Sequence, residues 1–512
     1  MEGDVNLTSQ IKPYVCAYGR AERVYAIFCA ALAYLFVRAV FFSSMGLGSF
    51  IFTVAAVASA LFAFRAKNIV PTSRSYAFGA IIIIFSLCYI TNTNEFIHTI
   101  CLICTMFMYL LWILRTAFGG DIITDGIAGD MLCALFAPFA KLFSVFAAIF
   151  APRRDNKGSH RALRIILGLI LSAIPCTIVV WLLMAADEAF FNLVNTFSFS
   201  LGDTFCEQLG YIIFALPVCC YIFAAWQSAL LRAEKSDETN GDDARRIKIS
   251  RPATTLAAAL PLLGVYMAYF FAQLSYFISA FGGYLPDGYS AADYARRGFF
   301  ELCGVAVINA LVIALISAFS SEDGKRDITV KRCIIIALSA CTLILIATAI
   351  SKMALYISFY GLTQKRIYTT WFMLLLAISF ILVIIRQCRT AFPLAKTLFL
   401  AFALMFALLI FPDYDGITAQ YNSSLGNITA GSAAELSELS SSPGVIETLL
   451  DYSHSDDPEV CAEADYQLKW RYDRIIDRNS IYSGNILCYN IGIQRSAALL
   501  AQSGFDGTRE YY

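Results

Sequence analysis

Eleven stretches of this chain run for most of a bilayer's thickness with scarcely a charge in them, and that pattern leaves few folds open. They are residues 24–42, 47–64, 76–90, 96–114, 163–184, 209–231, 252–281, 298–319, 333–351, 367–385 and 394–411. A helix needs about 20 mostly apolar residues to cross a hydrocarbon core of roughly 30 Å, and it satisfies its own backbone polar groups there. With 59% hydrophobic and only 15% charged residues, the chain carries more apolar surface than a water-soluble core can bury. The expected fold class is all-α: a polytopic transmembrane helical bundle of about 11 spans, with a small helical extracytoplasmic C-terminal domain. The implied division is a cytoplasmic segment at 1–23, a membrane domain at 24–411 and a tail domain at 412–512.

Basic residues in the connections set orientation. Arg20 and Arg23 precede the first span, and Arg65, Lys67 and Arg74 follow the second. Clusters at 153–161, 232–251, 325–332 and 386–389 continue the alternation, whereas 43–46, 91–95 and 185–208 hold no Lys or Arg. The N-terminus is therefore expected on the cytoplasmic side of the membrane and the C-terminus outside. Arg296, Arg297, Lys352, Lys365 and Arg366 are exceptions on the outer side. Residues 131–150 are apolar but interrupted by Pro138 and Lys141, with large residues on one helical face. That pattern suits a helix lying in the inner interface, with a twelfth span as the alternative. Residues 186–199 read as a second, outer interfacial helix.

The tail is acidic. From residue 413 it holds six Lys/Arg against fifteen Asp/Glu, a net of −9 in a chain whose total is zero. Val460, Ala464, Leu468, Tyr472 and Ile476 form one helical stripe, and Ile486, Tyr489, Ile493, Ala497 and Leu500 suggest a second. Residues 437–443 read as a loop. Cys461 and Cys488 are open to pairing or to remaining free.

Charge near a span is costly and draws attention to Arg297 and Glu301, four apart and so on one helix face, with Asn309 within a quarter-turn of it. Arg38, Asp187, Glu188, Lys352 and Tyr356 are expected at the same outer depth. One reading is an outward-facing polar pocket for an ion, a headgroup or a small solute. The other is a structural Arg297–Glu301 pair, with Arg38 and Lys352 reaching up to lipid phosphates. Tyr360-Gly361 reads as a glycine-capped helix end before Lys365 and Arg366.

Several chemistries lack their motifs. There is no Walker loop, HExxH, GxSxG or dinucleotide fingerprint, so no cofactor or catalytic residue is assigned. Asp121, Asp125 and Asp130 do not have calcium-loop spacing, and the Cys101-x-x-Cys104 pair lies in an apolar span without a second pair, so no metal is expected either. His98 reads as an interfacial residue. Dispersed basic residues give no support for nucleic-acid binding; the expected partners are membrane lipids and proteins reached through the tail.

Residues 294–301 with Asn309, and Met-Ala-Leu-Tyr-Ile-Ser-Phe-Tyr-Gly-Leu-Thr-Gln-Lys-Arg at 353–366, resemble a bacterial membrane-protein family. It is the domain-of-unknown-function family numbered 4173, related to the one numbered 4153. Asp187-Glu188-Ala189-Phe190-Phe191, Gln420-Tyr421-Asn422 and Tyr489-Asn490-Ile491-Gly492 with Arg495 resemble further segments of it, with glutamine at 420 where arginine is common. The resemblance runs from about residue 160 to 505 and implies a polytopic membrane protein without an assigned activity. Three functions follow in order of preference: a non-enzymatic envelope sensing or scaffolding protein, a secondary transporter, and a membrane enzyme acting on lipid or cell-wall intermediates.

Overall fold

In the computed structural model the described residues are 19–150 (except 125), 203–238, 299–319 and 325–505 (except 427 and 483–485), with scattered helical positions between 172 and 194 and between 261 and 271. Among them no strand occurs. The membrane part comprises α1 (Arg20–Phe36, continued by a π-turn over Val37–Phe41), α2 (Leu47–Ala66), α3 (Ser73–Ser86), α4 (Cys88–Thr91), α5 (Glu95–Ala117), α6 (Ile127–Phe136), α7 (Ser144–Phe150), α8 (Asp203–Glu238), α9 (Phe299–Phe319), α10 (Lys325–Tyr360), α11 (Gln364–Cys388) and α12 (Leu394–Ile410). The tail adds α13 (Tyr414–Ser424), α14 (Ala430–Glu435), α15 (Pro443–Tyr452), α16 (Pro458–Tyr482) and α17 (Ile491–Gln502).

Seven described helical segments are long and apolar enough to cross a membrane: Arg20–Phe41, Leu47–Ala66, Ser73–Thr91, Glu95–Ala117, Glu207–Ala233, Ile328–Tyr360 and Gln364–Cys388. An eighth arises if Leu394–Ile410 is counted with its continuation Tyr414–Ser424, to which it is bent by 63°. Of the eleven expected spans, 163–184 and 252–281 fall mostly outside the described residues. The span at 298–319 appears as α9, which runs over Phe299–Phe319 and whose described apolar stretch is Leu302–Ser317. The 131–150 region is not one helix. It breaks into α6, a 3-10 turn over Ala137–Lys141 and α7, and at 1.5 Å per residue each piece is far too short to span. Its Leu132, Phe136, Phe139 and Phe143 are exposed, as in a helix resting in a lipid interface.

Among the described residues the side chains form three large apolar cores and a small fourth one between α1 and α8 around Phe36 and Tyr211. One joins α1, α2, α3, α5 and α8 with the end of α12, around Tyr25, Trp112 and Trp226. A second joins α9, α10 and α11 with Tyr266. The third belongs to the tail and includes Val460, Ala464 and Leu468, the stripe expected from their spacing. The second tail helix starts later than its apolar pattern implies. Residues 486–488 form a 3-10 turn with Ile486 exposed, and α17 begins at Ile491 under the cap of Asn490. Capping explains that start: Asn490 Oδ1 accepts from the Ile493 N–H at 3.1 Å, and a capped N-terminus outweighs hydrophobic periodicity.

The loops sort onto two faces. On one, residues 42–46, 92–94 and 361–363 meet the tail. On the other lie basic connections, where Lys67 pairs with Glu22 and Asp121 takes both Arg74 and Lys396, the latter at 2.7 Å. Asp130 lies 3.4 Å from Arg115. Two of the aspartates that invite thoughts of a metal loop are thus engaged by cations; Asp125 lies outside the described residues. Cys101 Sγ–H donates to the Phe85 carbonyl at 3.3 Å, and Cys461 and Cys488 are free thiols.

Candidate functional site at the docked tail

The loop Asn92-Thr93-Asn94 leaves α4 and enters α5, and each asparagine has a separate task. Asn94 caps α5, its Oδ1 accepting from Phe96 N–H at 2.9 Å and Ile97 N–H at 3.2 Å. Asn92 Oδ1 accepts from Asn94 N–H at 2.8 Å, while its Nδ2 donates to the Ile410 carbonyl at 3.1 Å. That carbonyl is one of the last four of α12, which have no partner inside their own helix. Asn490 reaches in from the tail: its Nδ2 donates to the carbonyls of Tyr89 at 3.0 Å and Asn92 at 2.6 Å. The His98 Nε2 lies 2.9 Å from the same Asn92 carbonyl, so that nitrogen carries the proton.

Asp415 is 2% exposed. A carboxylate so placed must be fully hydrogen-bonded to be tolerated. Asn94 Nδ2 donates to it at 2.9 Å, Gln364 Nε2 at 2.7 Å and the Ser440 N–H at 3.1 Å. The three donors come from the loop before α5, the start of α11 and the tail. Nearby in the tail, Arg471 is fully buried and donates to Gln467 at 2.9 Å and to the carbonyls of Leu436 at 2.6 Å and Leu439 at 3.2 Å. Burial, with Arg474 adding to it, pushes its guanidinium down to about 10, still far above neutrality, so its charge persists.

Further contacts cross the seam. Asn422 pairs with Leu362 in the manner of two backbone strands, accepting from its N–H at 2.7 Å and donating to its carbonyl at 3.0 Å. The Leu47 N–H, an orphan donor at the start of α2, donates to the Tyr489 carbonyl at 2.9 Å. Gly46 permits that approach, since a Cβ there would stand 2.7 Å from the same oxygen. Between tail and loops remains a cavity of about 230 Å³, bordered by Ser43, Ser44, Thr93, Glu95, His98 and Asn490. It presents hydroxyls, an amide, a carboxylate and an imidazole, suited to holding a small polar solute or ion by hydrogen bonds.

Residues 79–442 match the family described as Domain of unknown function (DUF4153). The chain belongs to that family. No curated protein and no solved structure matches it. The DUF4153 match starts earlier than the resemblance expected from the sequence and ends before α15. It therefore contains Asn92, Asn94, Asp415, Asn422 and Ser440, and leaves Asn490 outside.

The candidates drawn from the sequence fall in different places. Asn309 is fully buried, accepts from Tyr266 and donates to Thr342 Oγ1 at 2.8 Å, inside the second core. Arg297 lies outside the described residues, and Glu301 belongs to α9 with its side chain outside them. Asp187 and Glu188 are exposed, and Asp187 Oδ1 caps its own helix from Ala189 N–H at 2.7 Å. Arg38 is half-buried on the π-turn, and Lys352 is half-buried near the end of α10. Tyr356 lies under the Arg366 guanidinium, 4.1 Å from its ring centre. Arg366 in turn donates to the Tyr360 carbonyl at 2.8 Å and to that of Gly361, closing the turn between α10 and α11. The seam residues Asn92, Asn94 and Asp415 were not singled out by charge or motif. The signal available was Asn94 directly before Glu95 and an apolar run, the signature of a helix start.

Proposed function

We propose that this DUF4153 protein is a non-enzymatic scaffolding or sensing protein of the bacterial cell envelope, its acidic tail held outside the cell membrane as a platform on the bundle. The observation that carries this reading is Asp415, a buried carboxylate held by donors from two membrane loops and from the tail. The basic loops on the opposite face support the outer placement. Asn309 favours this over transport: its polar atoms are taken by neighbouring helices, leaving no polar mid-membrane face at that position. The narrower likeness to the family numbered 4173 belongs with this proposal, as does a role for the tail in meeting protein partners.

The hydroxyls of Thr93 and Ser440 lie 2.8 Å apart across the seam, which makes the pair a reporter. In a background lacking reactive native cysteines, Thr93→Cys with Ser440→Cys is expected to cross-link in intact cells. Asp456→Cys, exposed in the tail, is expected to react with a membrane-impermeant maleimide, and Arg389→Cys, on the basic face, only after lysis. The reverse labelling pattern overturns the orientation. Absence of the cross-link in correctly folded protein overturns the fixed platform, and turnover or flux by the reconstituted protein overturns the non-enzymatic assignment.

A further inference from the structure

A second cavity, of about 1320 Å³, lies well away from the tail. It separates the first core from the second. Ile103, Phe107 and Met131 form one wall, and Leu398 and Phe402 face the space from α12. Along α11 the cavity runs from Trp371 to Arg386. Those sixteen residues rise about 22 Å, more than one leaflet's share of a roughly 30 Å hydrocarbon core. The α11 segment beside it is the least buried of the candidate spans, at 11%. Water is a poor occupant of such walls, because each molecule needs two to four polar partners. Hydrocarbon is a good one.

The ends of the cavity differ. Among the described lining residues the charged ones are Lys331, Arg332 and Arg386, at the end belonging to the basic face. On the same face Asp121 takes Arg74 and Lys396, and Asp130 lies by Arg115. Lys331 also donates toward the Ser317 carbonyl at 3.4 Å, which sets its ammonium at the mouth. An apolar slot one acyl chain deep, closed at its interfacial end by three cations, matches a lipid whose headgroup carries net negative charge.

We propose that this cavity is a binding site for an anionic phospholipid, with an acyl chain between the two cores and its phosphate at Lys331, Arg332 and Arg386. The lipid then fills the joint between two halves that otherwise meet incompletely. Basic residues gather on this face for reasons of topology alone, so the deciding property is headgroup selectivity. The inference does not depend on the activity assigned to the tail.

The test uses the full-length protein in nanodiscs of phosphatidylcholine doped with phosphatidylglycerol, followed by delipidation and native mass spectrometry. The wild type is expected to retain phosphatidylglycerol at least tenfold over phosphatidylcholine. Arg332→Gln combined with Arg386→Gln is expected to reduce that preference to near unity, and Leu398→Trp to lower retention of both lipids by filling the acyl slot. Should the double variant fold poorly, Arg386→Gln alone is expected to give a several-fold loss. Equal retention of the two lipids by the wild type overturns the proposal, as does undiminished selectivity in the neutralised variants. Displacement of the lipid preference by inorganic phosphate at millimolar concentration assigns the cations to a soluble anion and also overturns it. A dimer that Leu398→Trp dissociates shows a second copy covering the slot, with the same consequence.

Discussion

Asp415 concentrates at one residue what the tail does for the membrane domain. Its two oxygens receive only donors, so an amide in its place turns an NH2 toward at least one of Asn94, Gln364 or the Ser440 N–H. Asp415→Asn is expected to destabilise the docked state by about 2–3 kcal/mol, the cost of an unmatched buried donor next to lost charge-assisted bonds. Thermal unfolding of the purified protein, followed with protease sensitivity of the tail, measures it. Unchanged values would mean that water enters the seam. Nothing in the local sequence marks Asp415 as different from Asp413, two residues earlier, which caps α13 through Gly416 N–H at 2.9 Å and accepts from the Gly444 N–H at 3.4 Å within the tail. The distinction lies in which loops arrive around each residue. Those loops are separated from it by as much as 321 residues, and periodicity carries no information at that range.

Among the elements, the turn between α10 and α11 is the one whose chemistry was most readable. Tyr360-Gly361 announced a helix end, and Gly361 does take the left-handed conformation at φ +73°. What the motif did not reveal is why the turn must be so tight: a Cβ on Gly361 would stand 2.5 Å from Asn422 Oδ1. Gly361→Ala is therefore expected to cost about 1–2 kcal/mol from backbone strain, and more from losing the Asn422–Leu362 pairing. The check is loss of stability together with faster tail proteolysis. A change in stability alone would confine the effect to the turn. The spans were legible for a simpler reason, since lipid tolerates no polar backbone outside a helix and so writes each crossing into composition. The broken 131–150 region shows the limit of that rule. Pro138 removes a backbone donor, and an apolar stretch then fails to become a span.

For the whole molecule, the two faces do different work. The basic face is held by ion pairs among short connections, and the opposite face by amides that satisfy helix ends in other parts of the chain. Burial and polar satisfaction there depend on the tail, so removal of residues from 486 onward is expected to loosen the loops before α2 and α5 even though no span is touched. Cysteine reactivity at Thr93→Cys measures this; protection equal to that of the full chain would show that Asn490 contributes nothing. The two Asn490 bonds close separations of 401 and 398 residues. A ribosome makes Tyr89 and Asn92 long before it makes their partner. Until then the Tyr89 carbonyl waits on water, and that of Asn92 has the His98 imidazole alone. The loop before α5 reaches its final hydrogen-bonded form only when Asn490 emerges, so its closure is a late event that no span of the bundle can bring about alone.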